Sequence, residues 1–188
     1  MTEFKLHTPE TASSEGQEAL NRAEKEFGFA PNLLKTLAEA PAAAHAYLDL
    51  GARLGKSTLA PAEQQVVLLA TSLENECDYC MAAHTMGAEM AGVDETTRSA
   101  MRKGDELPDP RLNALWGFTR GVVKTRGRVS EEDLTGFIDA GFTRANVLEV
   151  VTGVAMKTLS NYTNHLAETP LDEAFEGARW TPPGAAKD

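Results

Sequence analysis

At 188 residues, with 42% hydrophobic and 24% charged side chains, the chain can bury one sizeable core without disulfide staples or a structural metal. Its 18 Lys+Arg against 28 Asp+Glu leave a formal charge of -10, which repels nucleic acid and anionic lipid and excludes both as partners. The longest uncharged apolar stretch, Val66 to Leu73, is far too short to cross a bilayer. Met1 to Ser14 lacks the apolar core of a signal peptide, so a cytoplasmic protein is expected.

Helix follows helix along the chain. Ser14 to Phe27 sets Ala19, Leu20, Ala23 and Phe27 on one face, and Gly28 stops it. Pro31 opens a short helix through Leu33, Leu34 and Leu37, and Pro41 another through Tyr47, Leu48, Leu50 and Leu54. Pro61 stands where a first helical turn tolerates proline. The nearly all-apolar run after it, Val66 to Leu73, predicts a helix inside the fold. Asp94 to Arg102 reads as a short polar helix ended by Gly104 and Pro108. Leu112, Leu115, Trp116, Thr119, Val122 and Val123 form an amphipathic stripe closed by Gly127. Ser130 with Asp133 follows capping-box logic, and Thr143 caps a long last helix carrying Val147, Leu148, Val150, Val151, Val154 and Ala155. The tail from Trp180, with Pro182, Pro183 and Gly184, reads as extended or mobile. Strand-type alternation is missing throughout. The expectation is a single all-α domain over 1–188, with N-terminal helices in 10–56, the core in 57–165 and a tail in 166–188.

Only two cysteines exist, and they lie close together in Glu74-Asn75-Glu76-Cys77-Asp78-Tyr79-Cys80-Met81-Ala82-Ala83-His84. On a helix, Cys77, Cys80 and His84 project from one face. Such thiols can close a disulfide, and a sulfur at a first helical turn feels unpaired amides that lower its pKa. An imidazole one turn below Cys80 can take its proton or stabilise the thiolate as an imidazolium. Cys80 is then the attacking thiolate, oxidised by peroxide to sulfenic acid. Cys77 condenses with it to a disulfide, which an external dithiol reduces. Three other readings stay open: buried cysteines as small hydrophobes, a non-catalytic redox sensor, and a zinc site of Cys77, Cys80 and His84 completed by Glu76, His165 or water.

The run Leu59 to Ala70, continuing through Glu74 to His84, resembles the AhpD-like alkylhydroperoxidase branch of the carboxymuconolactone decarboxylase family. Phe27 to Leu33, Arg126 to Ser130, Ala140 to Phe142 and Asn161 to His165 extend the resemblance over most of the chain. It implies an all-helical subunit of about seven to nine helices that assembles as trimers or hexamers. It also implies a peroxidase and disulfide reductase without haem, flavin or metal, served by a thioredoxin-like or lipoyl dithiol. By position Cys80 matches the peroxidatic cysteine, Cys77 the resolving one and His84 the relay histidine. Cysteine-lacking relatives are lactone decarboxylases, and the two thiols here speak against that chemistry.

The chain departs from the family pattern twice. Gln65 stands where the relay glutamate is expected; it can hydrogen-bond a histidine but cannot accept a proton at neutral pH. Glu63, Glu74 or Glu76 could take over, although each also reads as an exposed helix-end charge. Tyr79 stands where the best-known members place a second histidine, and a phenol does not readily shuttle protons at neutral pH. His165 reads as a cap or interface residue, His7 and His45 as surface, and Met81, Met86 and Met90 as packing on the cysteine helix. Trp116 reads as core, and Trp180 as a pin between the tail and a neighbouring subunit.

Overall fold

The computed structural model describes residues 4–183. Within them lie nine α-helices: α1 Ser14–Phe27, α2 Asn32–Leu37, α3 Pro41–Leu54, α4 Pro61–Glu74, α5 Asp78–Met90, α6 Glu95–Lys103, α7 Pro110–Thr125, α8 Glu131–Asp139 and α9 Arg144–Ala167. A 3-10 segment, Glu173–Ala178, follows, and the described residues contain no strand. No helix among them is long and apolar enough to cross a membrane.

Local chemistry sets the boundaries. Ser13, Asp94, Asp109, Ser130 and Thr143 cap their helices with side-chain oxygens that accept the first free amides. Pro41, Pro61 and Pro110 sit in first turns, where the missing N–H costs nothing.

Helix α4 is the axis of the molecule. Its Val66, Val67, Leu69 and Ala70 are fully buried, as the unbroken apolar run predicts, and it packs against α5, α7 and α9. On one side a core forms from α4, α7 and α8, where Phe118, Phe137 and Phe142 stack at 4.2 and 4.4 Å between ring centroids. On the other side α1, α2 and α3 close over the start of α5, and both cysteines belong to that second core. Gly153 lets α9 approach α4 closely: a β-carbon there would lie 2.6 Å from Val67 Cγ1.

Helix α9 reverses the expected orientation of an apolar helix. Leu148 is 68% and Val151 47% exposed, whereas Lys157, Ser160, Asn161 and Asn164 are buried. The tail also differs from expectation. Residues 166 and 167 still belong to α9, and Trp180 is buried, its Nε1 donating to the Arg102 carbonyl at 2.8 Å. It therefore pins the tail to its own chain. Gly184 and the residues after it lie outside the described residues.

Candidate active site

The cysteine segment is not one continuous helix. Helix α4 ends at Glu74, and Glu76 takes a left-handed conformation with φ 54°. The Cys77 N–H then returns to the Ser72 carbonyl at 2.9 Å. Cys77 is the N-cap of α5 with extended backbone, and Cys80 sits in the first turn, beside amides that have no helical partner. Both thiols are free and completely buried, with Cys77 0% and Cys80 1% exposed. The expectation of three groups on one helical face is thus corrected: Cys77 precedes the helix and meets Cys80 across its first turn.

Helix α9 supplies the opposite wall. Asn164 Nδ2 donates to Cys80 Sγ at 3.3 Å and to Cys77 Sγ at 3.7 Å, and Ser160 Oγ lies 3.7 Å from Cys80 Sγ. Lys157, only 1% exposed, points into the same space, where its Nζ lies 3.0 Å from His84 Nε2 and its charge acts on Cys80. Burial alone would push the Cys80 thiol up. A hydrogen bond from Cys77, the charge and hydrogen bonding of Lys157, and the Ser160 hydroxyl overcome burial and hold it well below the ordinary thiol value. Cys77 moves the opposite way. Its S–H is committed to Cys80, and burial and the neighbouring thiolate further oppose its ionisation. The two sulfurs are therefore pushed apart, Cys80 ionising more readily than an ordinary thiol and Cys77 less readily. Burial is the largest single influence on Lys157 and opposes its charge, but Cys80, Tyr47 and Cys77 together outweigh it and raise its pKa.

His84, one turn further along α5, does not touch the sulfurs directly. Its Nε2 lies 3.0 Å from Lys157 Nζ and its Nδ1 3.1 Å from Gln65 Oε1. An ammonium only donates, so Nε2 accepts and Nδ1 carries the hydrogen given to Gln65. Burial, then the Lys157 charge, hold the His84 pKa well below its ordinary value. The imidazole is neutral, and the imidazolium expected beside the thiolate is replaced by the lysine ammonium.

A cavity of about 470 Å³ opens above this layer, lined by Phe27, Phe29, Tyr79, His84, Met86 and Phe175 among others. A second, of about 290 Å³, reaches the same floor from the α3 side. Tyr47, Gln65 and His84 line both, so they form the polar floor of otherwise mostly apolar walls. Buried Tyr47 stands close enough to Lys157 and Cys80 for their charges to act on it.

The carboxylates considered as relay groups are engaged elsewhere. Glu63 accepts from Ala60 N–H at 2.8 Å and from Arg111 Nε at 2.8 Å. Glu74 pairs with Arg120 and, at 3.4 Å, with Lys124, while Glu76 is exposed on the left-handed turn. Tyr79 OH donates to Asp172 and accepts from Leu33 N–H at 3.2 Å, which ties the residue between the cysteines to the C-terminal segment. His165 is exposed, and His7 and His45 are half-buried rather than on the surface; His7 pairs with Glu39 at 2.6 Å. Met81 is core and Met86 lines the cavity, but Met90 is 88% exposed. Among the described residues no three His, Cys, Asp or Glu side chains converge to hold a metal. Nε2 of His84 accepts from the Lys157 ammonium rather than turning to the two sulfurs. Lys157, Ser160 and Asn164 escaped sequence reasoning, although their spacing puts them on one face of a helix that is otherwise apolar.

Residues 41–118 match the carboxymuconolactone decarboxylase family, a span that runs from α3 into α7 and includes Gln65, Cys77, Cys80 and His84. The sequence match is confined to that segment, whereas the likeness in fold to AhpD-core structures extends well beyond it. An uncharacterized peroxidase-related protein with an alkylhydroperoxidase AhpD core, from Ralstonia eutropha, is similar with a TM-score of 0.80 at 22% identity, covering 92% of this chain and 93% of its own. A peroxidase-related protein from a Silicibacter species gives 0.77 at 18%, covering 93% and 92%. The debrominase Bmp8, as a cysteine-to-alanine variant in complex with 2,3,4-tribromopyrrole, gives 0.78 at 14%, covering 95% of both chains. A search of curated proteins finds no significant match. Lys157, Ser160 and Asn164 lie on α9, outside the span that matches the family.

Proposed function

We propose that this chain is a dithiol oxidoreductase that reduces a small, apolar hydroperoxide. The observation that carries the reading is the pair of free, buried thiols bound by one Asn164 amide, with the buried Lys157 ammonium favouring ionisation of Cys80 over Cys77. Cys80 attacks the terminal peroxide oxygen; the S–O bond forms, the O–O bond breaks, and an alcohol leaves once protonated. Cys77 attacks the sulfenic acid and expels water, leaving a disulfide. An external dithiol, from a thioredoxin-like or lipoyl protein, restores the pair by exchange. The larger cavity beside the site has mostly apolar walls, including Tyr79 and His84 from the cysteine helix, which suits an uncharged substrate. A homo-oligomer, trimer or hexamer, is part of this reading, supported by the exposed Leu148, Val151, Tyr162 and Leu166 along α9.

The test is steady-state peroxide consumption with excess dithiol. Cys80→Ser is expected to abolish turnover, and Cys77→Ser to stop after one stoichiometric oxidation. Turnover that survives Cys80→Ser refutes the reading. A single oxidation without turnover in the native protein marks a redox sensor instead, and lactone decarboxylation that survives loss of both thiols marks the decarboxylase alternative.

A second reading is favoured by the aromatic lining of the larger cavity, with Phe27, Phe29, Tyr79 and Phe175, and by the likeness to a debrominase. Cys80 would take a halogen from a haloaromatic ring while the ring carbon gains a proton. Cys77 would then displace halide to give the same disulfide. Halide release that depends on both thiols, without hydroperoxide turnover, would select it.

A further inference from the structure

Thiolate attack on a hydroperoxide, the reaction proposed above for Cys80, expels an alkoxide that must be protonated inside a closed site. Resting on that reading, we infer that Lys157 donates this proton, and that His84 and Gln65 position the lysine rather than act as base toward the thiol.

Three geometric facts support the assignment. Lys157 reaches the sulfur from α9 and is 1% exposed, so no solvent acid competes with it. His84 Nε2, 3.0 Å away, is filled by the lysine's own hydrogen, and Nδ1 is held by Gln65 at 3.1 Å. Of the neighbouring carboxylates, Glu63 and Glu74 are paired with Arg111 and Arg120, and Glu76 and Asp78 are exposed. Among the groups around Cys80, which include Cys77, Ser160 and Tyr47, Lys157 is the cationic acid.

The same arrangement explains why the proton would move only when needed. A buried ammonium is costly unless an opposite charge faces it. Here that charge is the Cys80 thiolate, with the Tyr47 hydroxyl and Cys77 nearby. When the sulfur's electron pair becomes the S–O bond, the negative charge passes to the departing oxygen, and Lys157 loses its partner. The step balances as Cys80–S⁻ plus ROOH plus Lys157–NH₃⁺ giving Cys80–SOH plus ROH plus Lys157–NH₂. Sulfur is oxidised by two electrons and the O–O bond is reduced. The neutral amine then takes the Cys77 proton; the Cys77 thiolate attacks Cys80 and expels hydroxide, which recovers that proton as water. Reduction by an external dithiol brings two hydrogens, one restoring the Cys77 thiol and one the Lys157 ammonium.

The test separates charge from proton delivery. Lys157→Arg keeps a cation but cannot release a proton in the working pH range. Rates of Cys80 oxidation by tert-butyl hydroperoxide are compared with rates of alkylation by iodoacetamide, which needs no proton. The expectation is alkylation within about threefold of native and oxidation slowed by about 100-fold or more. Equal slowing of both, or of neither, overturns the proposal. Should Lys157→Arg fail to fold, the native protein carries the test. Oxidation is expected to slow about twofold or more in D₂O while alkylation does not, and equal solvent effects overturn the inference. Native protein that is alkylated at Cys80 yet never oxidised by hydroperoxide refutes the peroxidase reading itself, before any variant is made.

Discussion

Asn164 binds both sulfurs with one amide group: its Nδ2 donates to Cys80 Sγ at 3.3 Å and to Cys77 Sγ at 3.7 Å, from a helix far away in sequence. Its Oδ1 is buried without a hydrogen-bond partner among the described residues, so the side chain is held by the sulfurs alone. A hydrogen bond to a charged group contributes about 1.5–3 kcal/mol. Asn164→Ala should therefore raise the Cys80 pKa, read as a shift of the iodoacetamide alkylation profile to higher pH. An unchanged profile would mean that the amide does not act on the thiolate.

Gly87 gives the Gln65 carboxamide room to reach His84. A β-carbon at Gly87 would lie 2.9 Å from Gln65 Oε1 and 3.2 Å from its Cδ. Gly87→Ala should force the carboxamide aside and slow hydroperoxide oxidation of Cys80 by about tenfold, with iodoacetamide alkylation nearly unchanged. Alanine favours a helix over glycine by about 1 kcal/mol, so the melting temperature should not fall by much. Normal oxidation in a folded Gly87→Ala protein would detach Gln65 from the chemistry.

Neutral His84 makes stability depend on pH. Its folded pKa is depressed, by burial first and by Lys157 second. Below the ordinary histidine value of about 6.5 the unfolded chain binds a proton that the folded chain refuses. The contribution of His84 is thus present above that pH and is lost as pH falls. Urea midpoints at about pH 7.5 and 5.5 should differ more for the native protein than for His84→Asn. An equal or steeper loss in the variant would contradict a neutral, buried imidazole.

The residue between the cysteines fastens the C-terminal segment. Tyr79 OH donates to Asp172, which also accepts the Asn32 N–H at 3.0 Å, and Phe175 meets the Tyr79 ring edge-on at 5.9 Å between centroids. Tyr79→Phe should cost about 1–3 kcal/mol, since it leaves a buried carboxylate oxygen short of a donor. Because Phe175 walls the cavity, the variant should also admit bulky maleimides to Cys80 faster than native protein does. Unchanged stability and unchanged labelling would show that the latch is idle.

Much of the fold was legible because its signals are local. Pro41, Pro61, Asp94, Ser130 and Thr143 each mark a helix start within a few residues, and the apolar run of α4 announces its burial. Half of the site was legible for the same reason, since Cys77, Cys80 and His84 lie within one short segment. Lys157, Ser160 and Asn164 were not. A polar residue on an apolar helix reads as its solvent face, whereas on α9 tertiary packing inverts the rule and turns Leu148 and Val151 outward. The role of His84 shifted for a related reason. Its distance along α5 from Cys80 was readable, but the ammonium between them comes from another helix.

The most direct measurement is the titration of the Cys80 thiolate by ultraviolet absorbance, in native protein and in Lys157→Met. The expectation is a native Cys80 that titrates well below the ordinary thiol value of about 8.5, and a variant whose Cys80 titrates at or above it. A native Cys80 that titrates near that ordinary value, or a variant indistinguishable from native, would contradict it.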